Sequence, residues 1–266
     1  MKGTYYSLNA RQQQMLEQIS REGEVRVSTL KDTYGVTEMT VRRDLEKLEE
    51  TGEVKRTFGG VIFVGRDVAL QERVALLTDE KARIGRWAAA LIKPGESIFI
   101  DGGTTTSQIA RYLPHGMNIT VVTNALNVVT ELSGKQIPVM MTGGTYSEST
   151  HSLSGPLAVQ SLSGMAFHRA FLGTTGITVE HGFSNSNIYE AEIKQIAIRQ
   201  STETTIVADH SKFGTKMLIS FATLSGVQRI VTNRQPDEEI ALACRESGVL
   251  LETADAGGMA GDSRHL

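Results

Sequence analysis

A single cysteine, Cys244, stands in 266 residues, so neither an internal disulfide nor a cysteine metal cluster can form. Its helical-repeat neighbours Ile240, Ala241 and Gly248 make it a small buried residue. Six histidines, His115, His151, His168, His181, His210 and His265, are widely separated and lack ligand spacing, so no metal is expected. No apolar run approaches the roughly 20 residues a spanning helix needs. No signal-peptide core opens the sequence either; the expected setting is the cytoplasm, without a membrane partner. The Gly-Lys-Ser/Thr of a Walker A loop and the Gly-x-Gly-x-x-Gly dinucleotide fingerprint are both missing, so no nucleotide cofactor is expected. Charge of one sign is lacking as well. The net charge is -3, and the first sixty residues carry ten basic and ten acidic side chains, so any nucleic-acid argument must rest on where charges stand.

What is present suits two domains, since the chain is long for one and 40% of it is hydrophobic. The expected division is residues 1–63, a linker at 64–79, a second domain at 80–255 and a glycine-containing tail at 256–266. In the first part, Asn9 and Gln12 resemble a capping box opening a helix with Met15, Leu16 and Ile19 inward, and Gly23 is placed to end it. A short extended piece at 25–27 follows. Ser28 is expected to cap a second helix holding Leu30 and Tyr34, and Gly35 permits a tight turn toward Thr37. Thr37 can cap a third helix whose Val41, Leu45 and Leu48 recur at i, i+4 and i+7, leaving Arg42, Arg43, Glu46 and Lys47 outside. Gly52 stops it; residues 53–56 alternate into a strand, and Gly59-Gly60 reverses the chain toward Val61 to Phe63.

That order describes a winged helix-turn-helix, which reads DNA with the N-terminal part of the third helix. Glu38, Met39, Thr40 and Arg42 or Arg43 are the expected base readers; Lys47, Lys55 and Arg56 are the expected phosphate partners. As an isolated helix, the same charges would instead read as a solvated face paired at i,i+3 and i,i+4. The flanking turn and wing favour contact with double-stranded DNA.

A helical pattern resumes at Glu80 with Ile84, Trp87, Ala88 and Leu91 on one face. Beyond it, β-rich runs at 97–100, 119–123, 139–142, 170–172, 205–208, 230–232 and 249–251 alternate with helical stretches, predicting an α/β domain with a largely parallel sheet. The runs end in small or polar residues. Ligands of open α/β sheets sit outside the carboxyl ends of the strands, so those ends are expected to converge. Asp101, Gly103, Thr104, Thr105 and Thr106 form the most suggestive end; Thr123, Asn124, Gly143, Gly144, Gly173, Asp209 and Lys212 come from others. Glu190 and Lys194, four apart on a helix, read either as a surface pair or as a carboxylate and an ammonium completing a site for a polyhydroxylated anion.

These segments carry a family resemblance. Arg11, Val27-x-x-Leu30, Gly35-Val36-Thr37-x-x-Thr40-Val41-Arg42-Arg43-Asp44-Leu45-x-x-Leu48, Gly52 and Arg56-Thr57-x-Gly59-Gly60 resemble the N-terminal signature of the DeoR family of bacterial transcription regulators. Glu80-Lys81-x-x-Ile84-Gly85, Asp101-x-Gly103-Thr104-Thr105-Thr106, Val122-Thr123-Asn124, Gly143-Gly144, Phe171-Leu172-Gly173-x-x-Gly176-Ile177, Glu190-x-x-x-Lys194 and Ala208-Asp209-x-Ser211-Lys212-Phe213-Gly214 are similar to its effector domain. The resemblance implies a fold like that of ribose-5-phosphate isomerase, a sugar-phosphate effector, and repression of a carbohydrate operon. Phe58 and Ser147 depart from the pattern, the first where many members carry histidine or tyrosine, the second where several carry arginine. A dimer or tetramer is expected, since paired recognition helices read repeated half-sites. The alternative is an isomerase-like enzyme with a DNA-binding appendage, but no carboxylate remains in Gly173-Thr174-Thr175-Gly176, the segment resembling the isomerases' acidic loop. No catalytic residue is therefore expected.

Overall fold

The computed structural model describes residues 8–22, 24–51, 53–63 and 70–254. Gly23 and Gly52, each expected to end a helix, and the tail expected at 256–266 lie outside them.

The first unit runs α1 (Ala10–Glu22), β1 (Glu24–Arg26), α2 (Val27–Tyr34), α3 (Glu38–Glu50), β2 (Val54–Arg56) and β3 (Gly60–Phe63). Its capping box forms: the Gln12 amide nitrogen donates to Asn9 Oδ1 at 2.9 Å and the Asn9 nitrogen to Gln12 Oε1 at 3.0 Å. Ser28 does not cap α2. The cap position is Arg26, two residues earlier, with no side-chain cap, because β1 feeds directly into the helix. Gly35 is left-handed at φ 63°, a conformation that costs glycine little, and it delivers the chain to Thr37, whose hydroxyl accepts from the Thr40 amide. Met15, Ile19, Leu30, Val41, Leu45 and Leu48 close one core. Asp44, also buried, ties α1 to α3 by accepting from Arg11 Nε and Gln12 Nε2, both at 2.8 Å. β3 lies between β1 and β2, all antiparallel, so the wing is anchored on both sides.

The second unit begins with α4 (Leu70–Val74), inside the stretch expected as linker, and α5 (Thr78–Ala90). Then follow β4 (Ser97–Ile100), α6 (Thr106–Tyr112), β5 (Thr120–Thr123), α7 (Leu126–Leu132), β6 (Val139–Met141), β7 (Thr145–Ser147), β8 (Ser152–Ser154) and α8 (Pro156–Ser163). The remainder is β9 (Phe167–Gly173), β10 (Gly176–Thr178), β11 (Gly182–Asn185), α9 (Ile188–Arg199), β12 (Ser201–Val207), β13 (Ile219–Ala222), β14 (Arg229–Thr232), α10 (Glu238–Glu246) and β15 (Leu250–Thr253). All seven strands expected from sequence join one sheet, in the order β15-β14-β12-β9-β4-β5-β6, and every pairing in it is parallel.

Successive side chains of a strand face opposite ways, and both faces are covered. Phe99, Leu172, Ile206 and Ile230 join one core with α8, α9 and α10; Ile98, Ile100, Phe171, Val207 and Val231 join another with α5, α6 and α7. Two small antiparallel sheets, β7-β8 and β10-β11-β13, were not anticipated, because their strands are short and rich in glycine, serine and threonine. From β4 the sheet grows through β5 and β6 on one side and through β9 on the other. The strand order reverses at the β4 and β9 boundary, where a crevice must open beyond the strand ends.

Candidate functional site

At that crevice lies a cavity of about 240 Å³. The β4 end supplies Gly103, Thr104, Thr105 and Thr106, and the β9 end supplies Gly173, Thr174 and Thr175. The β12 end adds Asp209 and Lys212, and α9 adds Glu190 and Lys194. Asn187 positions α9, its side-chain oxygen accepting from the amides of Tyr189 and Glu190 at 2.9 and 3.4 Å.

Glu190 and Lys194 do not form a surface pair. Asn185 Nδ2 donates to Glu190 Oε2 at 2.9 Å, while Lys194, 2% exposed, forms an ion pair with Asp101, 3% exposed. Asp101 also accepts from the Gly173 amide at 3.2 Å, so its carboxylate joins the β4 and β9 ends and does not line the cavity. Asp209 is occupied as well, accepting from the amide and hydroxyl of Ser211.

Thr123, Asn124, Gly143 and Gly144 stand outside the cavity lining. Thr123 donates to the Ile100 carbonyl at 2.6 Å and accepts from the Ala125 amide at 3.1 Å; Asn124 Nδ2 donates to the Leu153 carbonyl at 3.2 Å. Gly144 is where β8 and α8 leave no room, since a Cβ there would stand 2.5 Å from the Ser154 carbonyl oxygen. Thr123 thus ties the β5 end to β4, and Asn124 ties it to β8.

Two cations in the cavity wall escaped the sequence reading. Lys81 is buried, and its Nζ donates to the carbonyls of Arg73 and Leu76, both at 2.6 Å. Burial lowers its pKa from the ordinary 10.5; Asp209 opposes that shift, and the charges of Lys212 and Arg73 reinforce it. A signal existed: Lys81 shares the helix stripe of Ile84, Gly85 and Ala88, all buried, so a lysine stands at a core position. Arg73, on α4, carried none. Apart from Lys194, which is joined to Asp101 behind it, the wall holds three cations, Arg73, Lys81 and Lys212, against two carboxylates, Glu190 and Asp209. Such a wall, with its threonine hydroxyls, suits a hydroxylated anion.

On the first unit, α3 exposes Glu38, Met39, Arg42, Arg43 and Lys47, as expected. Thr40 is less available: its hydroxyl lies 2.9 Å from that of Thr37, within the cap. Arg42 is paired with Glu38 at 2.8 Å. Arg56, expected to face phosphate, binds Glu46 at 2.9 Å and Glu49 at 2.7 Å, and its amide donates to Glu49 Oε1 at 2.9 Å. These bonds latch the wing to α3, and the Arg56 backbone bond first, then its side chain, hold the Glu49 carboxyl below the usual 4.5. Lys55 is exposed, and Phe58 stands fully exposed at the wing tip.

Among the described residues, no group of three His, Cys, Asp or Glu could hold a metal, and no helix is long and apolar enough to cross a membrane.

Residues 11–66 match the DeoR-like helix-turn-helix domain family, and residues 77–234 match the DeoR C terminal sensor domain family. The HTH-type transcriptional regulator YulB of Bacillus subtilis is 36% identical, over 90% of this chain and 94% of that protein. IolR of the same organism, also an HTH-type transcriptional regulator, is 34% identical over 91% and 98%, and the HTH-type transcriptional repressor GlcR is 32% identical over 81% and 84%. Among solved structures, ribose 5 phosphate isomerase A from Neisseria gonorrhoeae aligns with 51% of this chain and 53% of its own, at 19% identity and a TM-score of 0.37. The chain belongs to the DeoR family of transcription regulators, a helix-turn-helix domain followed by the family's sensor domain.

Proposed function

We propose that this protein is a repressor of a carbohydrate operon whose grip on operator DNA is set by a phosphorylated sugar held in the second domain. The observation that carries the effector reading is the cavity at the β4 and β9 ends, with threonine hydroxyls for a sugar and a surplus of cations for its phosphate. Among the relatives, GlcR is named a repressor. Arg43, Lys47 and Lys55 supply the exposed positive charge for DNA, and Met39 an apolar base contact; Arg42 and Arg56 would exchange their carboxylate partners for DNA groups on binding. Two copies reading repeated half-sites account for operator specificity. An effector acts only through unequal affinity for the arrangement that binds DNA and the one that does not.

The carboxylates do not favour an enzyme. Glu190 accepts from Asn185 and Asp209 from Ser211, which gives both carboxylates a place in holding the cavity wall.

The test is fluorescence anisotropy of DNA from upstream of the protein's own coding region, at fixed salt, with and without a panel of sugar phosphates and their free sugars. Release by one phosphate ester and not by its free sugar is the expected result. Specific DNA binding that no phosphate ester alters would overturn the effector reading and leave the DNA reading standing.

A further inference from the structure

α4 and the turn after it form a strap over one wall of the cavity, to which Arg73, Leu76 and Leu77 contribute. The strap begins where the Leu70 amide donates to the Ser149 carbonyl at 2.8 Å, and Leu70 itself is buried. It ends at Leu77, left-handed at φ 51° without being glycine, a conformation that persists only when its surroundings hold it. Lys81 does the holding through the Arg73 and Leu76 carbonyls. An ammonium has three donors, and these two bonds leave one directed elsewhere.

Arg73 is the unusual member. Its Nε is buried and has no hydrogen-bond partner among the described residues, while the residue lines the cavity. A buried charged donor without an acceptor is costly, and a ligand acceptor would relieve that cost. A guanidinium fork matches two oxygens of a phosphate, which a lysine does not.

We propose that Arg73 is an anion-binding residue of the cavity, clamping the phosphate group of the effector beside Lys81, and that this contact fixes the strap of residues 70–77. The proposal rests on the phosphorylated-effector reading and deepens it. In sequence, the strap follows residues 64–69, which follow the wing strand β3, so an anion bound by Arg73 acts on the chain segment leading to the DNA-binding domain. Burial first, and then the charges of Lys212 and Arg73, lower the pKa of the Lys81 ammonium, and a bound anion would oppose that shift.

The experiment is calorimetric titration of full-length protein with inorganic phosphate and with a panel of hexose and pentose phosphates, paired with amide exchange. Wild type is expected to bind phosphate, Arg73→Gln about tenfold more weakly or worse, and Arg73→Lys in between, because charge survives there and the fork does not. Phosphate should slow exchange across residues 70–77 in wild type and not in Arg73→Gln. Circular dichroism checks folding; should Arg73→Gln fail to fold, Arg73→Lys carries the comparison, its weakened phosphate binding being the supporting result. Phosphate affinity undiminished in the folded variant overturns the clamp alone. Wild type that binds neither phosphate nor any ester overturns the phosphorylated-effector reading and the clamp together.

Discussion

The ammonium of Lys194 on α9 and the carboxylate of Asp101 at the end of β4 form a buried ion pair, although 93 residues separate them. Two buried charges stabilise each other only as a pair; removing one strands the other. Lys194→Met should therefore destabilise the second domain by about 3–5 kcal/mol, and Lys194→Met with Asp101→Asn by clearly less, since asparagine can still accept from the Gly173 amide. Urea unfolding of both variants and wild type checks this. A double variant no more stable than Lys194→Met would contradict the pairing.

Gly85 sets how closely α5 approaches α6, because a Cβ there would stand 2.3 Å from the Cβ of Gln108. Alanine would raise helix propensity by about 1 kcal/mol, but overpacking at backbone contact costs about 1–3 kcal/mol and here exceeds the gain. Gly85→Ala should lower the melting temperature. It should also weaken effector binding, since Lys81, one turn earlier on α5, lines the same cavity as Thr104, Thr105 and Thr106, where α6 begins.

Glu49 couples the wing to acidity. Its carboxyl lies below 4.5 when folded, through the bonds from Arg56, so the latch is fully present above the unfolded pKa and is lost as pH falls through the lowered folded value. Wild type should exceed Glu49→Gln in stability at neutral pH, with the gap closing below about pH 4. Thermal melts of both proteins across pH 3 to 7 measure the gap, and a constant difference would count against the latch.

On the DNA side, Lys47 and Lys55 should act by charge and Arg43 by base contact. Lys47→Ala or Lys55→Ala should reduce the slope of log affinity against log salt by about 0.9 per lost phosphate contact, equally on specific and nonspecific DNA. Arg43→Ala should instead narrow the difference between operator and scrambled sequence. Full operator discrimination in Arg43→Ala would remove it from the readers.

Periodicity made the elements legible. The i, i+4, i+7 stripe of Val41, Leu45 and Leu48, the capping box of Asn9 and Gln12, and seven β-rich runs were readable because each is a local pattern, decided by neighbours within a turn or a strand. The polar strand ends were legible on the same basis, and so was the convergence of the β4, β9 and β12 ends at a crevice. Which ends would be left out was not, for Thr123, Asn124, Gly143 and Gly144 have the same composition as residues that line the cavity. Tertiary packing separates them: the β12 end joins the β4 and β9 ends and α9 around the cavity, whereas the β5 end, equally near the reversal, is tied to Ile100 and Leu153. Tertiary structure likewise paired Lys194 with Asp101, turned Lys81 inward and brought Arg73 to the cavity from a segment that read as linker. Local periodicity fixes which face of an element is apolar, but the partner of a buried charge is set by chain segments far away in sequence, brought together when the two cores close around the sheet.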